Sequence, residues 1–180
     1  TGLLSLWAKW PSFDVDGLVE AYGNVPWPLL RASFHMLNPT SIVQNTKRLM
    51  QNYRTERGDE FLNNWWAMEL WSNDSVSFPG DCYKSLIKNL YRKNSLLQDC
   101  FTLKGRPVSL SAIDVPILNI MSEHDHIVPR EATELLKARV KSSDYSEQFL
   151  PGGHIGAIIG SKARKSLWPQ WSQFLSEKND

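Results

Sequence analysis

Apolar positions recur every three to four residues through roughly the first hundred positions, then give way to short compact runs. The first rhythm makes one face of a helix apolar, while a brief uninterrupted apolar run suits a strand buried on both faces. After the turn-rich WPSFD, the run DGLVEAYG (16–23) predicts a helix that stops on Gly23. WPLLRASFHMLNP (27–39) places Leu29, Leu30, Ser33, Phe34 and Leu37 near one helical face, with Pro39 as its stop. TSIVQNTKRLMQNYR (40–54) opens on Thr40 or Ser41 as a cap and carries Ile42, Val43, Leu49 and Met50. Two further helices are predicted over 59–74 and 80–97, the second with Tyr83, Leu86, Ile87, Leu90 and Tyr91 at helical spacing.

Beyond residue 105 the pattern is that of an α/β fold. RPVSLSAID (106–114) predicts a short strand and a turn, and VPILNIMSE (115–123) a strand buried on both faces. PREATELLKARV (129–140) reads as an amphipathic helix with Leu135, Leu136 and Val140 on one side. SEQFLP (146–151) predicts a second short strand, and 156–178 a closing helix, interrupted before Pro169. Strand, helix, strand, helix is how the edge of a parallel sheet continues. Two strands make no stable sheet alone, so earlier strands are expected on a segment amino-terminal to this one. The opening TGLLSLWAKW, without an initiator methionine, reads as a cut through a longer polypeptide. The expected division is a helical region at 1–105 followed by a sheet-bearing region at 106–180.

Composition narrows the function classes. Lys and Arg number 20 against 19 for Asp and Glu, a formal charge of +1, which offers no broad field for nucleic acid. A local basic patch could still receive a phosphorylated ligand. No stretch is long and apolar enough to span a membrane. Cys82 and Cys100 are read as free, half-buried thiols of a cytosolic protein, since no secretory n-region or h-region is present. Six of the eight tryptophans lie in the first 71 residues, which points either to an aromatic contact surface or to a large aromatic core.

The chemistry concentrates at two strand ends. Asp125 falls just past the first buried strand, in SEHDHIVP, and His154 just past the second, in PGGHIGA. Catalytic groups of open parallel sheets gather at the carboxyl edge of the strands. The pair is 29 residues apart (154 − 125), about what one helix and one strand require. A histidine can take a proton from a thiol or hydroxyl and return it, and a carboxylate behind it fixes the tautomer. The alternative makes Asp125 a helix cap and His154 an ordinary loop residue; strand order and spacing together favour the pair. His126 is a lesser candidate, for substrate contact or a structural role, because one side chain of this loop can point at the site. His35, in an apolar helical segment, reads as a core or interface histidine. No cluster has metal-ligand spacing, and no phosphate-cradling glycine loop occurs. No G-x-S-x-G or G-x-C-x-G elbow occurs either, and Cys82 and Cys100 lack that strand-turn-helix context.

DVDGLVEAYGNVPWPLLRASFHMLNP, ELWSNDSVSFPGDCYKSLIKNLYRKNSLL, IDVPILNIMSEHDHIVP and PGGHIG together resemble the polyhydroxyalkanoate (poly-3-hydroxybutyrate) synthases. FPGDCY and the short linkages look closest to the short synthases that need a second subunit, the class III and IV types. The resemblance implies the carboxy-terminal part of an α/β-hydrolase fold, preceded by a mostly helical cap. It implies a cysteine nucleophile on an upstream elbow, attacking the thioester of (R)-3-hydroxyacyl-coenzyme A and carrying the growing polyester. His154 matches the family histidine, and Asp125 the family acid, which activates the incoming hydroxyl directly or through the histidine. Further implications are a homodimer formed through the cap, a second synthase subunit, a cytoplasmic place at the polyester granule surface, and no cofactor beyond the coenzyme A thioester substrate. This stretch alone is then expected to be inactive. Competing readings are a serine hydrolase of the same fold, such as an esterase or polyester depolymerase, and a non-catalytic cap or dimerisation piece.

Overall fold

A computed structural model of the chain describes residues 2–37, 40–53, 55, 58–159 and 163–178. The helices are α1 (Leu3–Ala8), α2 (Val15–Tyr22), α3 (Trp27–Leu37), α4 (Thr40–Asn52), α5 (Gly58–Asn73), α6 (Gly80–Ser85), α7 (Gly156–Ile159) and α8 (Trp168–Glu177). The strands are β1 (Phe101–Leu103), β2 (Arg106–Val108), β3 (Ile117–Ser122) and β4 (Tyr145–Leu150), so the architecture is mixed α/β. Packing divides the chain into two compact units, Asp14–Ser85 and Thr1–Phe13 with Leu86–Asp180.

In the unit Asp14–Ser85, Asp14 caps α2 by accepting the Asp16 and Gly17 N–H groups at 3.1 and 3.0 Å. The helix ends on Gly23 at φ 68, as its glycine stop predicts. Val25 and Phe78 then exchange two backbone hydrogen bonds of 2.9 Å in an isolated antiparallel bridge. Val15, Val19 and Val25 are buried around this knot. Gly80 opens α6 so close to the end of α2 that a Cβ there would sit 2.0 Å from the Gly23 carbonyl oxygen. Arg31 of α3 pairs with Glu69 of α5 at 3.3 Å and also donates to Asn73. Helix α3 buries none of its residues: Leu29 and Phe34 of its apolar stripe are exposed, as is His35, which is therefore not a core histidine. Pro39, the expected stop, lies outside the described residues, as do the side chains of Thr40 and Ser41. Trp66 and Trp71 of α5 are each 58% exposed, so these two form surface rather than core.

The other unit carries the sheets. The helix expected over 80–97 is shorter: α6 widens into a π-helical stretch, Leu86–Arg92, and ends there. Asn94 and Asp99 adopt φ 51 and 52, left-handed values that Asn and Asp tolerate and a helix cannot continue through. Arg92 is also drawn away to fasten the amino-terminal segment, donating to Ala8 O at 2.8 Å and Phe13 O at 2.5 Å. Strands β1 and β2 form a hairpin over Lys104 and Gly105, both with positive φ, the conformation that matches a two-residue hairpin turn. The sequence pattern indicated β2 and missed β1.

β3 and β4 pair in parallel, from Ile117 opposite Tyr145 to Ser122 opposite Leu150, as the order of elements predicts. Leu150, Ala163 and Leu167 form the buried cluster behind them, with Ile120 packed against it. The crossover differs from expectation. In place of a helix over 129–140 there is a 3₁₀ turn at Arg130–Ala132 followed by successive turns. Helices of this length are held chiefly by burying their apolar face, and Leu135 here is 49% exposed. The closing helix is likewise divided, into α7, a π-helical stretch at Ala163–Leu167 and α8, with Pro169 accommodated in the first turn of α8. Cys82 and Cys100 are free as expected but exposed rather than half-buried, the first within the short helix α6 and the second just ahead of β1.

Candidate active site

The site grows out of the carboxyl ends of β3 and β4. Their ladder continues past the strands: the Glu123 N–H donates to Leu150 O and the His124 N–H to Gly152 O, each at 3.0 Å. These bonds hold the two following loops side by side. Asp125 then turns its carboxylate back on its own loop, where Oδ1 accepts the N–H groups of Ile127 at 2.9 Å and Val128 at 2.8 Å. The other oxygen, Oδ2, lies 2.8 Å from His154 Nδ1. The structure therefore brings together the two residues singled out from the sequence. Asp125 does not cap a helix, since the turn at Arg130–Ala132 starts from Pro129 without a side-chain cap; one of its oxygens closes its own loop and the other holds the histidine.

The Asp125 side chain is 7% exposed and that of His154 41%. Burial by itself would raise the Asp125 carboxyl pKa. The hydrogen bonds from Val128, His154 and Ile127, with the charge on His154, outweigh it and hold the carboxyl below the ordinary carboxylate value. Asp125 is thus an anion that only accepts, so the proton shared with it belongs to His154 Nδ1. In the neutral imidazole this leaves the Nε2 lone pair to meet a substrate or a nucleophile. His126 is exposed and stands outside the hydrogen-bonded pair.

Beside Asp125 opens a cleft of about 450 Å³, whose walls include Ser122, Arg130 and Phe149. The Arg130 guanidinium stacks over the Phe149 ring at 4.7 Å. Sequence reading did not single out either residue; their juxtaposition depends on β4 lying beside the crossover. Among the described residues no group of three His, Cys, Asp or Glu side chains is placed to hold a metal ion. No described helix is long and apolar enough to cross a membrane.

No family model matches the chain. Individual proteins do. The chain is 31% identical over 180 residues to the poly(3-hydroxyalkanoate) polymerase subunit PhaC of Haloferax mediterranei, covering 99% of this chain and 36% of that protein. It is 35% identical over 176 residues to the PhaC subunit of Allochromatium vinosum, covering 98% of this chain and 48% of that one. The proteins it is similar to are poly(3-hydroxyalkanoate) polymerase subunits. The PhaC subunit of Thiocystis violacea agrees, at 32% identity over 177 residues and 49% of its length. The chain spans between about a third and a half of these synthase subunits, and the Asp125–His154 pair falls within the matched stretch.

Proposed function

We propose that this chain is the carboxy-terminal part of a polyhydroxyalkanoate synthase, an acyltransferase that polymerises (R)-3-hydroxyacyl-coenzyme A into polyester and releases coenzyme A. The 2.8 Å contact between Asp125 and His154 carries the reading, set in a stretch similar throughout to the synthase subunits. In this reading the nucleophile is a cysteine on an elbow in another part of the synthase. His154 Nε2 takes the thiol proton, the thiolate attacks the thioester carbonyl, and coenzyme A leaves as a thiol with that proton. His154 next takes the proton of a hydroxyacyl hydroxyl, whose oxygen attacks the acyl-cysteine; the carbon–sulfur bond breaks, the cysteine leaves and recovers that proton from His154, and the chain is longer by one ester. Thioester exchange between two sulfurs is nearly isoenergetic, which suits a thiol nucleophile assisted by a histidine.

Asp125 works through His154 rather than on the hydroxyl itself. Its Oδ1 is occupied by two backbone N–H groups, its Oδ2 by the imidazole, and its depressed pKa makes it a poor base. It holds the tautomer and stabilises the imidazolium.

The wider assignments follow from the same reading. Residues 1–105 are the helical cap inserted into an α/β-hydrolase fold, 106–180 the end of its sheet, and the cap contributes a homodimer contact. The short two-subunit type implies a second synthase subunit, and the product implies a cytoplasmic place at the granule surface. Alone, this stretch does not turn over. The test is coenzyme A release from 3-hydroxybutyryl-coenzyme A by the intact synthase carrying Asp125→Ala or His154→Ala. Undiminished release by either variant would sink the assignment.

A further inference from the structure

The register of the two strands and the spacing of the two site residues do not agree. Every pair along the ladder is offset by 28 residues, from Ile117 opposite Tyr145 to Ser122 opposite Leu150. Asp125 and His154 are 29 apart, so the loop after β4 must absorb one extra residue before the imidazole arrives opposite the carboxylate. The backbone shows where. Glu123 still bonds to Leu150 at the next step, but His124 bonds to Gly152, skipping Pro151. Gly152 has φ 124, a conformation that L side chains rarely adopt. Neighbouring Gly153 lacks this constraint: it has no positive φ, and a Cβ there would meet only the His124 carbonyl oxygen at 3.5 Å, an ordinary contact.

We infer that Gly152 is a positioning residue, whose positive φ takes up the extra residue and whose carbonyl ties the acid loop to the histidine loop. The inference rests on the Asp125–His154 pair being the working unit and deepens that reading. The tie lies one residue before Asp125 and two before His154, so a shift there moves both groups relative to each other. An L side chain at 152 drives φ negative, swings the carbonyl away from the His124 N–H, and lengthens the contact between Oδ2 and Nδ1. The handedness of the residue, rather than its size, is what matters.

The test compares Gly152→Ala with the mirror-image substitution, Gly152→D-Ala, introduced by semisynthesis, and with Gly153→Ala. The first readout is the low-field NMR resonance of the His154 Nδ1–H in this chain, assigned by its loss in Asp125→Asn; it requires no catalysis. Gly152→Ala loses the resonance, while Gly152→D-Ala and Gly153→Ala keep it. In the intact synthase Gly152→Ala lowers kcat about 100-fold with KM within about twofold, as misplacement of a catalytic group does. Unfolding of Gly152→Ala with a folded, resonance-bearing Gly152→D-Ala also supports the inference. Retention of the resonance in Gly152→Ala overturns it, as does equal loss or unfolding with either hand of alanine. A wild-type chain without the resonance overturns the Asp125–His154 pairing and this inference together. An intact pair without effect on synthase turnover overturns the proposed function alone.

Discussion

The two compact units are held together by different means. In the unit bearing β3 and β4, order comes from a backbone ladder that runs beyond the strands and a nearly buried carboxylate whose two oxygens are both engaged. In the unit Asp14–Ser85 it comes from one apolar knot, where Val15, Val19 and Val25 meet and Gly80 closes on Gly23. Helices α3 and α5 extend from that knot with Phe34, Trp66, Leu70 and Trp71 facing outward. A ladder with engaged polar ends fixes positions to a fraction of an ångström, which proton transfer requires. A single knot with apolar helices outside it fixes a fold but leaves surface for contact.

The sharpest way to break this comparison is at the polar pair. His154→Ala should lower coenzyme A release by the intact synthase about 100- to 10,000-fold, the usual contribution of a general base, with the fold kept. A loss below tenfold would place the proton transfer elsewhere. Next in size is the core behind the ladder. Leu167 is 1% exposed, so Leu167→Ala should cost about 2–5 kcal/mol in urea unfolding monitored at β3 and β4. In the helical unit, Gly80→Ala should cost about 1–3 kcal/mol, since the added methyl meets backbone that cannot swing aside. Hydrogen exchange in α2 and α6 would report it, and wild-type protection there would show that the knot is not what holds the unit.

A smaller effect depends on pH. The folded Asp125 carboxyl lies below its unfolded value of about 3.9, so its stabilisation is complete above that pH and is lost as pH falls through the lower folded value. The stability difference between the wild type and Asp125→Asn should therefore be constant at neutral pH and close in strong acid. A gap that stayed open in acid would mean that the carboxylate charge is not what stabilises the loop. The smallest effect belongs to Arg31, whose pair with Glu69 is about one-third exposed. Arg31→Ala should change stability by under about 1 kcal/mol, and a larger loss would reveal a polar anchor in the helical unit.

How much the sequence disclosed follows the same contrast. Asp125 and His154 were legible because each stands just past a predicted strand, and a parallel pair must deliver both to one edge. The stop of α2 was legible from Gly23, whose local chemistry decides it, whereas the cap at Asp14 was passed over as part of a turn. The supposed helix over 129–140 was not, because its periodicity is genuine but its apolar face is left half uncovered at Leu135. The break of the helix after Arg92 was hidden for a related reason: the arginine's partners, Ala8 and Phe13, lie about eighty residues away. Strand β1 gave no signal beyond the Lys104–Gly105 turn, since three residues are too few for an alternation to show. Arg130 and Phe149 came together only through the packing of the crossover on β4.

The crossover between the strands has a consequence for how such a chain can vary in length. Lys141 bonds back to Ile113 and Ile117 to Asp144, so the strand partners are set outside the turns of residues 130–140. Insertions or deletions within those turns leave every backbone partner of β3 and β4 where it is. From Ser122 to Asp125 and from Leu150 to His154 no such freedom exists, because a single added or missing residue carries the acid or the imidazole out of reach of the other. Length variation among natural or engineered versions of this stretch should gather in the crossover and spare the two loops that flank it.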